Sequence, residues 1–243
     1  MRALITAIVS TAVLTSAPTL VAAASLQVSP IILDVRAPGA TATIRLRNDG
    51  TTPFHAQVRV YKWIQQNGEE KLEPTNEVVA SPPVANLAPN TDYTIRLVRL
   101  SKEPLTSGAS YRLLVDELPD PARARSGTIT MVLRYSIPVF FYPANYAAPK
   151  LTWSIIQRGG RTYIEATNEG DRHIRLASLK LQAANGAPIS FGEGLVGYVL
   201  GHSSKTWPIA DSHKQIGAGT PVAITAQSDA GQISASATMQ PAR

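Results

Sequence analysis

The sequence predicts an all-β protein built from two sandwich domains, and three observations carry that prediction. Apolar and polar residues alternate with a period of two along most of the chain. Turn-forming Gly, Pro, Asn and Asp clusters recur about every 8 to 12 residues, the spacing of a sandwich of short strands. No window keeps the 3.6-residue helical period for three turns. The chain has 243 residues, 44% of them apolar, enough for one large or two small cores. It has no cysteine, which excludes disulfides, thiolate zinc sites, iron–sulfur clusters and a cysteine nucleophile.

Residues 1–24 stand apart from this pattern. Arg2 supplies a positive start, residues 3–14 a short apolar run, and Ala22, Ala23 and Ala24 a small-residue cleavage site. That is the layout of a secretory signal peptide. As a membrane span it is too short and is interrupted by Ser10, Thr11 and Pro18, where roughly 20 continuous apolar residues are needed. The sequence therefore predicts an exported chain with no stable membrane insertion and a formal charge one below the full-length value of +6.

Strand signals then follow one another. Leu26, Val28, Ile31, Leu33 and Val35 are spaced almost alternately around Pro30. Ile44 and Leu46 alternate with Arg45 and Arg47 up to an Asn48-Asp49-Gly50 turn. Residues 55–64 alternate again and end at Asn67-Gly68; 72–79 form a weak strand; 92–100, 110–118 and 128–142 are strong ones, rich in β-branched or aromatic residues. Two prolines and small residues between Tyr142 and Pro149 read as a stiff linker. Strands resume at 151–157, 161–168, 174–182, 195–200, 221–228 and 232–239, with turns at Gly159-Gly160 and Asn185-Gly186. The expected domains are 25–145 and 150–243, both immunoglobulin-like sandwiches.

Catalysis finds no support. Gly192-Glu193-Gly194-Leu195-Val196-Gly197 matches GxGxxG, but the dinucleotide fingerprint needs a helix after it, and Tyr198-Val199-Leu200 reads as strand. His55, His173, His202 and His213 show no metal-ligand spacing, so no metal or other cofactor is expected. Asp116 and Glu117 are neighbours on a strand and point to opposite faces, which prevents their acting as an acid–base pair. No G-x-S-x-G elbow is present. Aromatics at 6% are too few to interleave with the arginines as a nucleic-acid surface.

The informative stretch is 110–143, SYRLLVDELP followed by a loop and then TITMVLRYSIPVFFYP. One face of its second strand carries Ile129, Met131, Leu133 and Tyr135; the other carries Thr130, Val132, Arg134 and Ser136. A long apolar strand of this kind is either central or used to complete another chain's sheet.

Five segments carry a family resemblance: Arg59-Val60-Tyr61-Lys62-Trp63, Ser81-Pro82-Pro83-Val84, Ser110-Tyr111-Arg112-Leu113, Val115-Asp116-Glu117-Leu118-Pro119 and Arg134-Tyr135-Ser136-Ile137-Pro138. With them the chain resembles periplasmic pilus chaperones of the chaperone–usher pathway, most closely the archaic branch that serves spore-coat-protein-U-like pili. The resemblance implies an L-shaped pair of immunoglobulin-like domains in the periplasm. The partners it implies are pilin subunits, which lack their last strand, and an outer-membrane usher. The chaperone lends its long strand to the subunit, and the next subunit's N-terminal extension later replaces it. A homodimer in which donor strands cap one another is compatible with that scheme. Ile129, Met131, Leu133 and Tyr135 match the donor positions. In the better-known branch, an arginine in the first strand and a lysine in the donor strand hold the subunit's C-terminal carboxylate; here Ser29-Pro30-Ile31 and Ile137-Pro138 hold no basic group. Arg112 matches the arginine of the archaic YRL motif and is the expected anchor, with Arg134 second. Two other readings stand beside this one: Arg112 in a structural ion pair with Asp116 or Glu117, and an exported adhesin or carbohydrate-binding module using exposed Trp63, Trp153 or Trp207.

Overall fold

The computed structural model describes residues 26–119, 127, 131–183, 186–210, 216 and 219–239. Residues 1–24 and Ile129 lie outside these. Among the described residues the structure is all-β, with no helix.

The first ten strands are β1 (Leu26–Ser29), β2 (Leu33–Arg36), β3 (Thr41–Asn48), β4 (Phe54–Gln66), β5 (Glu69–Pro74), β6 (Val78–Ser81), β7 (Val84–Leu87), β8 (Asp92–Arg99), β9 (Ala109–Leu118) and β10 (Arg134–Tyr142). They form two facing sheets, β1-β3-β8-β6 and β2-β10-β9-β4-β5, with β7 also paired to β4. Alternation decides what lies between them: Leu46, Ile95, Leu97, Leu113, Val115, Val139 and Phe141 are fully buried. The break at Pro30 moves the chain from one sheet to the other, since β1 pairs antiparallel with β3 whereas β2 pairs parallel with β10. Asn48 is buried at the end of β3, where its side-chain amide donates to the Thr52 and Leu87 carbonyls, each at 2.9 Å, so the predicted turn is tied into the core.

The second sandwich contains β11 (Leu151–Arg158), β12 (Arg161–Asn168), β13 (Ile174–Ala183), β14 (Ile189–Ser190), β15 (Leu195–Val199), β16 (Ser203–Pro208), β17 (Pro221–Ser228) and β18 (Gly231–Thr238). Its sheets are β11-β12-β16 and β14-β13-β17-β18, with β15 paired to β13. Strand β15 begins inside the glycine-rich segment, at Leu195, which leaves no helix N-terminus to meet a pyrophosphate.

Three strand expectations need correction. The weak strand at 72–79 is two strands, β5 and β6, separated after Pro74. β7, β14 and β16 carry too little apolar alternation to be recognised; β16 (SSKTWP) is fixed by pairing with β12. The long strand expected from residue 128 begins at Arg134; Met131 to Leu133 precede it outside any strand, with Leu133 O still accepting from Glu117 N–H.

A third apolar cluster joins the sandwiches. Trp63, Phe140 and Tyr142 from the first pack against Tyr198 and Leu200 from the second, with Ile32 and Tyr146 at its margin. The β4–β5 turn, Asn67-Gly68, has both residues at positive φ (55° and 79°), the geometry of a tight hairpin. This turn docks on β16: Thr206 N–H donates to Gly68 O at 3.0 Å, Lys205 Nζ lies 3.4 Å from Glu70, and Arg158 donates to Asn67 O at 2.7 Å. A Cβ at position 68 would overlap the Thr206 side chain, so glycine is required for the close approach as well as for the turn.

Candidate functional site

The site is built on β10 and its neighbour β9. β9 covers one edge of β10 from Arg134 to Phe141, and β2 covers the other edge only from Val139 to Tyr142. Glu117 N–H donates to Leu133 O at 2.9 Å. In an antiparallel ladder that bond turns the N–H and C=O of Arg134 and Ser136 away from β9. The edge from 134 to 136 is thus an unpaired strand edge, the feature that sandwiches ordinarily blunt or cover.

Apolar side chains border this edge. Met131 is 91% exposed, Val132 46% and Ile31 73%. Leu133 and Tyr135, on the same face as Met131, are half-buried against the first core, and Tyr135 OH donates to Leu26 O at 2.6 Å. Alternation therefore runs from buried core residues out to an exposed methionine along one face. Leu133 N–H is taken by the Glu117 carboxylate at 3.3 Å, where the ladder ends.

Three arginines face outward from the same sheet. Arg59 and Arg134 both ion-pair with Asp116, which is buried at that point. Burial alone would raise the Asp116 carboxyl, but hydrogen bonds from Arg134 and Arg59 outweigh it and hold the group below the ordinary aspartate range. Arg134 reaches Asp116 through Nε alone, and its side chain stays 62% exposed.

Arg112 is different. Among the described residues it forms no ion pair, and the alternative of a bridge to Asp116 or Glu117 fails because those carboxylates are engaged by Arg59, Arg134 and Leu133 N–H. Its Cζ stacks 3.7 Å from the Trp63 ring centroid and 5.5 Å from that of Tyr198. One Nη donates a long bond of 3.5 Å to Ser136 O, on the open edge of β10. Desolvation pushes its pKa down; Glu70 and Tyr198 push it up to a lesser degree. A half-buried cation without a carboxylate is a costly arrangement unless an anion is to be received there.

The tryptophans do not form a sugar-binding platform. Trp63 is 1% exposed and Trp207 7%; Trp153 is half-buried and stacked on Trp207 with centroids 6.5 Å apart. Their burial comes from the domain junction and the second core, neither of which local sequence displays. Tyr198, the residue that sequence reasoning missed, reaches Arg112 from the second domain. Among the described residues, no three His, Asp or Glu side chains gather as metal ligands, and no helix is long and apolar enough to cross a membrane.

The family model described as pili and flagellar-assembly chaperone, PapD N-terminal domain, matches residues 25–147. No curated protein matches. Among solved structures, the chain is similar to a chain of the CsuC–CsuE chaperone–tip adhesion subunit pre-assembly complex from archaic chaperone–usher Csu pili of Acinetobacter baumannii. Identity there is 27% and the TM-score 0.69, over 90% of this chain and 100% of that one. The Pseudomonas aeruginosa CupB2 chaperone (20% identity, TM-score 0.55, 86% of this chain and 98% of that) shares the fold. So does a chain of the Salmonella enterica SafA pilin–SafB chaperone complex (17%, 0.59, 87% and 95%).

Proposed function

The chain belongs to the pilus chaperones of the chaperone–usher pathway, and from that premise we propose that it captures pilin subunits by donating β10 and the residues before it to the subunit's incomplete sheet. The observation that carries this reading is the unpaired edge of β10 at residues 134–136, preceded by exposed Met131 and Val132. Strand addition to such an edge satisfies backbone groups on both chains and sends alternate side chains into the partner's groove. Ile129, Met131, Leu133 and Tyr135 are the donor positions in this proposal, Ile129 lying outside the described residues. Burying one such side chain fully contributes roughly 1.5–3 kcal/mol before ordering costs.

Arg112 is proposed to receive the subunit's C-terminal carboxylate and so set the register of the added strand. Arg134 is the second anchor in this proposal, its Nε bound to Asp116 and the rest of its guanidinium exposed. In this account residues 1–24 direct export, the periplasm is the site of action, and an outer-membrane usher receives the complex. The 27% identity with a chain of an archaic Csu pre-assembly complex supports the archaic branch.

The test is capture from periplasm. Met131→Asp places a charge at a position that is solvent-exposed in the free chaperone, so folding is unaffected while insertion into an apolar groove is blocked. Pilin is expected to co-purify with the wild type and not with this variant; equal yields would refute donor-strand use of the segment.

A further inference from the structure

We infer that Tyr198 and Gln65, on opposite sides of the domain junction, are positioning residues for Arg112, so that the carboxylate site is complete only while the second domain is docked against β4. The inference rests on the anchor reading of Arg112 and adds to it the residues that aim the guanidinium.

An arginine on an open sheet face samples many rotamers, and each must be given up when an anion is gripped. Here the guanidinium is already held. Trp63 of β4 lies beneath it with the ring centroid at 3.7 Å, and Tyr198 of β15 stands beside it at 5.5 Å. The two rings meet edge to face, with centroids 5.4 Å apart at 77°. Tyr198 comes from the other domain, so its place depends on how that domain is tied down. Gln65 provides the tie: its Nε2 donates to Tyr198 O at 2.7 Å and its Oε1 accepts from Leu200 N–H at 2.9 Å. Gln65 stands two residues after Trp63 on β4 and therefore on the same face. One strand face thus supplies both the floor under Arg112 and the bonds that fix the wall beside it. Both cation–π contacts leave the edge of the planar guanidinium, where its N–H donors lie, available to a bidentate carboxylate.

The experiment uses the full-length mature chain and a synthetic strand peptide of alternating valine and threonine, made with a free C-terminal carboxylate and as the amide. The ratio of the two affinities reads the anchor alone, because strand pairing is common to both peptides. The wild type is expected to prefer the acid by about thirtyfold or more. Arg112→Ala removes the preference. Tyr198→Leu and Gln65→Ala lower it about tenfold, while amide binding changes little; Tyr198→Phe retains it, because the ring face remains. A role confined to stability would shift acid and amide binding together. If Tyr198→Leu fails to fold, Gln65→Ala carries the test, since it keeps both rings. Full preference in Tyr198→Leu or Gln65→Ala, with Arg112→Ala lacking it, overturns this inference alone. Preference that survives Arg112→Ala, or is absent from the wild type, overturns the anchor reading and this inference with it.

Discussion

Replacing Arg112 with alanine separates an anchoring role from a structural one, because the two predict opposite patterns of loss. In the free chaperone the side chain contributes its stacking on Trp63 at 3.7 Å and on Tyr198 at 5.5 Å, with no carboxylate partner left behind by its removal. Such contacts are worth about 0.5–2 kcal/mol. For a chain of this size that corresponds to a fall in melting temperature of a few degrees, at about 2–4 °C per kcal/mol. In the complex the same guanidinium would pair with a desolvated carboxylate, and truncating one member of such a pair costs about 2–5 kcal/mol. The expected loss of affinity is therefore roughly 30- to 4,000-fold, taking 1.4 kcal/mol per factor of ten. Calorimetric titration with a pilin subunit measures the binding loss, and differential scanning calorimetry of the free protein measures the stability loss. Binding within twofold of wild type, together with a large drop in melting temperature, would refute the anchoring argument and leave Arg112 as a packing residue.

Further consequences follow from the junction and the donor segment. Gly68→Ala drives a Cβ into Thr206 at a backbone position of φ 79°, so the hairpin should lift from β16 at a cost of about 2 kcal/mol or more, seen as a lower denaturation midpoint. His173 is buried at the junction, its ring stacked on Phe140 with centroids 3.6 Å apart and its Nδ1 hydrogen-bonded to Tyr142 OH. Desolvation lowers its pKa from 6.5 to about 4; Arg172 and Arg175 act in the same direction and Asp229 against it. The unfolded chain therefore binds the extra proton between those values. The stability that neutral His173 contributes is complete above pH 6.5 and is lost as pH falls towards 4, by about 3 kcal/mol in all. Denaturant unfolding across that range should show the slope, and His173→Phe should remove it. Met131→Asp should leave the melting temperature unchanged while abolishing pilin capture, since the wild-type side chain is 91% exposed.

Much of this architecture was legible along the chain. Period-two alternation located β4, β8, β9, β11, β12, β13, β17 and β18 within a residue or two, because in a sandwich one face of each strand meets the core and the other meets water. Where that physics weakens, legibility weakens too. β5 is a charged edge strand (EEKLEP) with nothing buried to display, and β16 is polar because it lies under the docked hairpin. The site divides in the same way. In the proposed site, alternation suggests the shared face of Met131, Leu133 and Tyr135, and a motif suggests Arg112. The cradle around Arg112 was not legible, because Tyr198 is brought to Trp63 by the packing of one domain on another. Trp63, expected as an exposed surface residue in the adhesin reading, is the floor of that cradle for the same reason. The pairing of Arg134 with Asp116 is likewise a tertiary fact, since the two lie directly across the ladder from each other.

The central claim, that a subunit adds as a strand to the open edge of β10, is tested most directly by amide hydrogen exchange on the chaperone alone and with pilin bound. In the free protein the Arg134 and Ser136 amides point away from β9 and should exchange quickly, while those of Tyr135 and Ile137, within the β9 ladder, should be slow. Capture of a subunit is predicted to slow Arg134 and Ser136, together with the amides of Met131 and Val132. Exchange at Arg134 and Ser136 that stays as fast in the complex as in the free chaperone would contradict the account.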